Sequence, residues 1–100
     1  MSDADGSGDV QDVPSERRFV IRQHGATAEL VYGVAPGRLT LIHTGVPDEL
    51  SGRGVGGRLV RAALERAVRE GLTVVPQCSY VRQWMKGHAD EASTVTVDWT

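Results

Sequence analysis

Four glycines, Gly52, Gly54, Gly56 and Gly57, crowd into the segment Ser51-Gly52-Arg53-Gly54-Val55-Gly56-Gly57-Arg58, just ahead of a stretch with helical periodicity. Glycines at a helix N-terminus let a ligand approach the backbone closely and point several N–H groups at one spot. The helix dipole adds partial positive charge there. The chemistry this suits is capture of an anion, most naturally a phosphate, although a plain flexible loop has the same composition. Gly52, Gly54 and Gly57 also satisfy the dinucleotide pattern Gly-x-Gly-x-x-Gly, but three features speak against it. Pro47 to Ser51 separate the preceding strand from the glycines where that turn must be tight. Gln77-Cys78, not an acid, ends the next strand, and 100 residues leave no room for two mononucleotide-binding halves. A P-loop fails as well, because no Lys-Ser or Lys-Thr pair follows the glycines.

Two further residue types bear chemistry. Cys78 is the chain's only cysteine and is followed by a short helical pattern. A lone thiol is commonly an inert buried group, whereas one at a helix N-terminus or beside an imidazole becomes a nucleophile. His43, near the strand end that leads into the glycine turn, has an ordinary pKa suited to taking a proton from an ammonium. Asp48 and Glu49 read as loop acids with a secondary chance of assisting the same proton transfer.

These residues need elements to hold them. Phe19 to Arg22 and Thr27 to Val34 read as strands joined by a turn at Gly25, and Pro36-Gly37 closes a second hairpin. Arg38 to Val46 is a third strand, with Leu39, Leu41 and His43 expected on one face and Thr40, Ile42 and Thr44 on the other. Gly56 to Glu70 is the clearest helix, its apolar stripe Leu59, Ala63, Leu64, Ala67 and Val68, with Gly71 as its stop. Leu72 to Cys78 is a fourth strand, in which Pro76 lacks a donor and so interrupts a ladder. Ser79 is expected to cap a short helix over Tyr80 to Lys86, and Thr94 to Trp99 reads as a last strand. Trp84 and Trp99 are expected on the covered face of the sheet, and His88 at the surface or at a helix cap. The order βββαβαβ describes an α/β (α+β) domain with a single mixed, mostly antiparallel sheet.

Composition narrows the partners. The five acids Asp3, Asp5, Asp9, Asp12 and Glu16 precede the first basic residue, Arg17, leaving eight acids and eleven bases, a net of +3, from there on. That mild basicity suits an anionic ligand but falls short of the basic stripe with interleaved aromatics that nucleic acid asks for. No apolar run approaches the ~20 residues of a membrane span. One cysteine excludes an internal disulfide and a thiolate-based zinc site. With no basic and apolar leader at Met1 to Glu16, the expected location is cytoplasmic. Residues 1–15 hold little that is apolar and are expected to form a disordered, dispensable acidic tail before a folded domain of residues 16–100.

The run from His43 through Gly71, followed by Val74-Val75-Pro76-Gln77-Cys78-Ser79-Tyr80-Val81, resembles the small stand-alone branch of the GNAT N-acetyltransferases, over roughly Phe19 to His88. The GNAT signature of Gln or Arg, two residues, Gly, one residue, Gly or Ala is matched by Ser51-x-x-Gly54-x-Gly56. Ser51 departs from the long polar side chain of the first position, and Arg53 or Arg58 is positioned to supply the missing charge. The resemblance implies a splayed pair of strands, here Arg38 to Val46 and Leu72 to Cys78, with pantetheine running between them. It also implies acetyl-CoA as cosubstrate, its pyrophosphate held by Ser51, Gly52, Arg53, Gly54, Val55, Gly56, Gly57 and Arg58. A backbone N–H near Val46 would face the acyl oxygen. The implied reaction is acetyl transfer to a primary amine of a small molecule or protein, by a monomer or homodimer with no nucleic-acid or membrane partner. Cys78 is then an acyl acceptor or a wall of the thioester pocket, and His43 a base. The rival reading is a module that binds acyl-CoA without turning it over.

Overall fold

The computed structural model describes residues 10–99. Strand β1 is Gln11–Val13, β2 is Arg18–Gln23, β3 is Ala26–Ala35, β4 is Arg38–Gly45 and β5 is Thr73–Pro76. They form one sheet in chain order, antiparallel from β1 to β4 and parallel between β4 and β5. Helix α1, Val55–Glu70, crosses from β4 to β5, and α2, Ser79–Gly87, and the single turn α3, Ala89–Ala92, follow. Left-handed residues make the tight connections: Arg17 after the 3-10 turn Pro14–Glu16, His24-Gly25 between β2 and β3, and Gly37 between β3 and β4.

The helices lie over one face of the sheet. Phe19 and Ile21 of β2, Leu30 and Tyr32 of β3, and Leu39 and Leu41 of β4 meet Leu59, Val60, Ala63 and Leu64 of α1 and Val81, Trp84 and Met85 of α2 in one buried cluster. The stripe of α1 is rotated slightly from the expected one: Val60 is fully buried and Val68 is 55% exposed, because the 3.6 period selects 56, 59, 60, 63, 64 and 67. Gly71 ends the helix in the left-handed region, with Leu72 N–H returning to Ala67 O at 2.9 Å.

Four further expectations are corrected. Residues 11–13 belong to the sheet, pairing with Arg18 to Val20, so the segment expected to be tail reaches into the fold; residues 1–9 lie outside the described residues. What holds this strand is a polar clasp rather than apolar burial. Tyr32 Oη donates to Asp12 Oδ1 at 2.5 Å, and Arg66 Nη1 donates to Asp12 Oδ2 at 3.0 Å and to Tyr32 Oη at 2.9 Å. Burial, first, and then Asp12 push the Tyr32 pKa up to about 12.

The second correction is the last strand. Thr94 to Trp99 make only one parallel bridge, Val97 to Val74, through Val74 N–H to Thr96 O at 2.9 Å and Asp98 N–H to Val74 O at 2.8 Å. Thr73 N–H points the other way, to Gly37 O on the β4 side. Alternation therefore aims the missing donor of Pro76 at the C-terminal segment, where it stops that ladder after one rung. The interruption expected between β5 and β4 is on the other edge. Third, Trp99 is 40% exposed and only Trp84 is in the core. Fourth, β4 does not alternate throughout: Val31 faces His43 and Tyr32 faces Leu41, leaving Ile42 as the extra residue of a bulge.

Candidate functional site

The bulge decides which side chains meet. Thr44 pairs with Leu30 and Leu41 with Tyr32, and both partners are buried under the helices. Thr44 thus shares the covered face with Leu41, although it lies three positions further along the strand. His43 pairs with Val31 and is carried to the opposite face, where its Nε2 and the Glu29 side chain flank the Cα of Gly45. The expectation that His43 stands on the face of Leu39 and Leu41 is overturned, and with it the simple picture of an imidazole activating the thiol.

The thiol has other partners. The β4–β5 ladder ends at Leu41 and Pro76, after which Gln77 and Cys78 both donate their N–H to Leu41 O at 3.0 Å. β5 then turns into α2 while β4 runs on from Ile42 to Gly45, paired only with β3, so the two chains diverge. Cys78 sits at this fork in the N-cap position of α2, one residue before the expected Ser79, half-buried, with its Sγ 3.4 Å from Thr44 Oγ1. Burial by itself pushes the thiol pKa up. The Thr44 hydroxyl and the amides of Val81, Tyr80 and Thr44 outweigh it and hold the pKa below the usual thiol value. Those helix amides face the sulfur at a geometry looser than a closed cap hydrogen bond.

Upstream of α1, Leu50 of the 3-10 turn Asp48–Leu50 is fully buried and pins the loop from β4 into the core. Gly52 and Gly54 follow with φ of +77° and +73°, and Gly54 caps the helix. The first intrahelical bond is Arg58 N–H to Gly54 O at 3.1 Å, so the amides of Val55, Gly56 and Gly57 precede it and point out of the helix end. Val46 is half-buried just beyond β4, and Ser51 closes the 3-10 turn through its N–H to Asp48 O. Arg53 is exposed and bonded through Nε to Glu49 O at 3.2 Å. Arg58 differs: its Nε and Nη2 are buried with no hydrogen-bond partner among the described residues. Buried donors without a partner on a cationic group are costly unless an anion meets them. Free helix amides and left-handed glycines fit a diphosphate, and half-buried Arg58 in the next turn keeps two donors, Nε and Nη2, without a partner among the described residues.

Gly56 and Gly57 have a second reason to be glycine. A Cβ on Gly56 would stand 2.8 Å from Tyr80 Cζ, and one on Gly57 2.8 Å from Trp84 Nε1. The missing side chains bring α2 against α1, so that the glycine turn and Cys78 share one wall. Thr44, Leu50, Tyr80 and Trp84 enter the site or its support only through tertiary structure. A glycine pair facing an aromatic pair four residues apart was the one available signal. Among the described residues no group of acids, histidines and cysteine could hold a metal ion, and no helix is long and apolar enough to cross a membrane.

Comparison with known proteins agrees with this geometry. The family model of the GCN5-related N-acetyl-transferases matches residues 18–94. The protein NATD1 of Gallus gallus and that of Homo sapiens are each 37% identical over 73 residues, 70% of this chain. The chain spans just under two thirds of their length, 66% and 65%. The solution structure of a GCN5-like protein from Staphylococcus aureus superimposes with a TM-score of 0.69 at 27% identity, covering 93% of this chain and 92% of the other. The glycine turn, the diverging parallel strands and the matched family model together mean that this chain belongs to the GCN5-related N-acetyltransferase family.

Proposed function

We propose that the protein transfers an acetyl group from acetyl-CoA to a primary amine. The observation that carries this reading is the continuity of one wall: free amides at Val55 to Gly57, the fork where β4 and β5 part beyond Leu41, and the Cys78 thiol at its apex. The coenzyme supplies an acyl group activated as a thioester. The amides of the turn, with Arg58, would hold its diphosphate, and the free edge of β4 toward Val46 would offer backbone donors to the pantetheine and the acyl oxygen.

The bulge favours direct transfer over an acyl-cysteine. The amine must reach the fork from the face without helices, and His43 stands on that face, with Glu29 across Gly45. His43 takes the ammonium proton there, while Cys78 and Thr44 line the opposite side of the reacting carbonyl. Cys78 is nonetheless primed as a nucleophile by its depressed pKa, which makes the alternative testable.

The test is to incubate the full chain with acetyl-CoA and a panel of primary amines and follow release of free coenzyme A. Turnover in wild type, at least tenfold slower in His43→Ala and within about threefold of wild type in Cys78→Ala, is expected for direct transfer. Turnover abolished in Cys78→Ala, with an acetylated thiol trapped by mass spectrometry in wild type, would instead assign the acyl group to Cys78. Tight coenzyme binding without turnover of any amine would reduce the protein to a binding module.

A further inference from the structure

The hydroxyl of Tyr80 stands between the two ends of the proposed site and is used by neither. Its phenol lies against the first turn of α1: a Cβ on Gly56 would be 2.8 Å from Tyr80 Cζ and 3.0 Å from Cε2, with the hydroxyl over the same glycine. Its backbone amide, at the other end of the residue, faces the Cys78 sulfur. The ring is 42% exposed, and none of the side-chain hydrogen bonds among the described residues engages its hydroxyl. A large aromatic used only for packing would be buried, as Trp84 is one turn further along against Gly57. A tyrosine left half in solvent with a free hydroxyl beside three unpaired helix amides is placed to meet a ligand that those amides also meet.

We propose that Tyr80 is a coenzyme-binding residue whose hydroxyl donates a hydrogen bond to a diphosphate oxygen seated on the Gly54–Gly57 turn, while its ring walls the path from that turn to Cys78. This rests on the coenzyme reading above. Burial and the neighbouring Cys78 thiolate raise the phenol pKa, so at neutral pH the group is a protonated donor. The anchor it provides acts in the ground state and in the transition state alike, so it lowers KM and leaves kcat unchanged. A proton donor to the departing sulfur would do the reverse.

The substitution Tyr80→Phe removes the oxygen and keeps the ring on Gly56, so the fold is retained; circular dichroism and the melting temperature check this. Coenzyme A binding is measured by calorimetry on the full chain, and steady-state rates are measured with acetyl-CoA and with S-acetyl-N-acetylcysteamine, a thioester that has no diphosphate. The expected result is about a tenfold weaker Kd for coenzyme A, the size of one charge-assisted hydrogen bond at a partly exposed site. KM for acetyl-CoA rises in step, kcat stays within about twofold, and kcat/KM for the short thioester is unchanged. An unchanged Kd for coenzyme A overturns the proposal. So does an equal loss with the short thioester, or a fall in kcat at constant affinity, each of which would move Tyr80 to the sulfur. Failure of wild type itself to bind coenzyme A overturns the coenzyme reading and this proposal with it, whereas wild-type binding that Tyr80→Phe leaves intact overturns this proposal alone.

Discussion

Gly57→Ala separates the two reasons for the glycine run. If Gly57 served only as a place for a ligand to approach, alanine in the first turn of α1 would stabilise the helix by up to ~1 kcal/mol. Steric crowding against α2 opposes that gain and exceeds it. The new Cβ would lie 2.8 Å from Trp84 Nε1 and 3.6 Å from Cε2, and Trp84 cannot swing aside: it is 9% exposed, stacked on His88 at 3.9 Å, and covered by the Arg61 guanidinium at 5.2 Å. Overpacking costs about 1–3 kcal/mol, and a ring that cannot move falls in the upper part of that range, about 2–3, so the net loss is roughly 1–2 kcal/mol once the helix gain is subtracted. At this chain length that lowers Tm by about 4–16 °C. Gly56→Ala is the control. The obstructing group there is the half-exposed end of Tyr80, which can rotate, so stability should change by less than about 1 kcal/mol. Thermal unfolding followed by circular dichroism measures both. A Gly57→Ala protein as stable as wild type, with unshifted tryptophan emission, would refute the packing argument.

Cys78 alkylation by iodoacetamide should titrate below the usual thiol pKa, and Thr44→Val should move the midpoint up toward it, since the Thr44 hydroxyl is the largest of the stabilising contacts. By linkage, the stability due to the depressed thiol pKa is present above the unfolded value and is lost as pH falls through the folded one, so a wild-type advantage over Cys78→Ala that shrinks with rising pH would contradict the shift. Asp12→Ala should cost ~1–2 kcal/mol and bring the Tyr32 pKa down from about 12, because Asp12 holds the phenol protonated and anchors β1; urea unfolding and ultraviolet titration test the two effects. Deleting residues 1–13 should cost at least as much stability as Asp12→Ala, because β1 is lost with Asp12. Arg58→Ala should weaken coenzyme A binding at least tenfold while leaving the melting temperature unchanged or higher, as expected for a half-buried arginine whose Nε and Nη2 lack partners among the described residues; unaltered affinity would remove Arg58 from the diphosphate site.

Much of this protein is written in local patterns. The hairpin turns at Gly25 and Gly37, the helix between the glycine run and Gly71, and the strand ending at Pro76-Gln77-Cys78 follow from side-chain period, glycine conformation and the missing amide of proline, all of which act within a few residues. The glycine turn was legible because its chemistry is backbone chemistry, and backbone donors at a helix start need no partner to be recognised. The faces of β4 were not legible. One unpaired residue at Ile42 reverses the alternation after it, so that Thr44 rather than His43 reaches Cys78, and a bulge is set by the pairing of β4 with β3, not by any residue within β4. The N-terminal strand was missed for a related reason: Gln11 to Val13 bury little, and what holds them is Asp12 meeting Tyr32 and Arg66, which lie 20 and 54 residues away in the chain. Gly56 and Gly57 carry both kinds of information. Their position at the helix start announces an anion site, but only the docking of Tyr80 and Trp84 reveals the crowding a side chain would meet there, mild at Gly56 and severe at Gly57, since a steric limit between two elements exists only once both are in place.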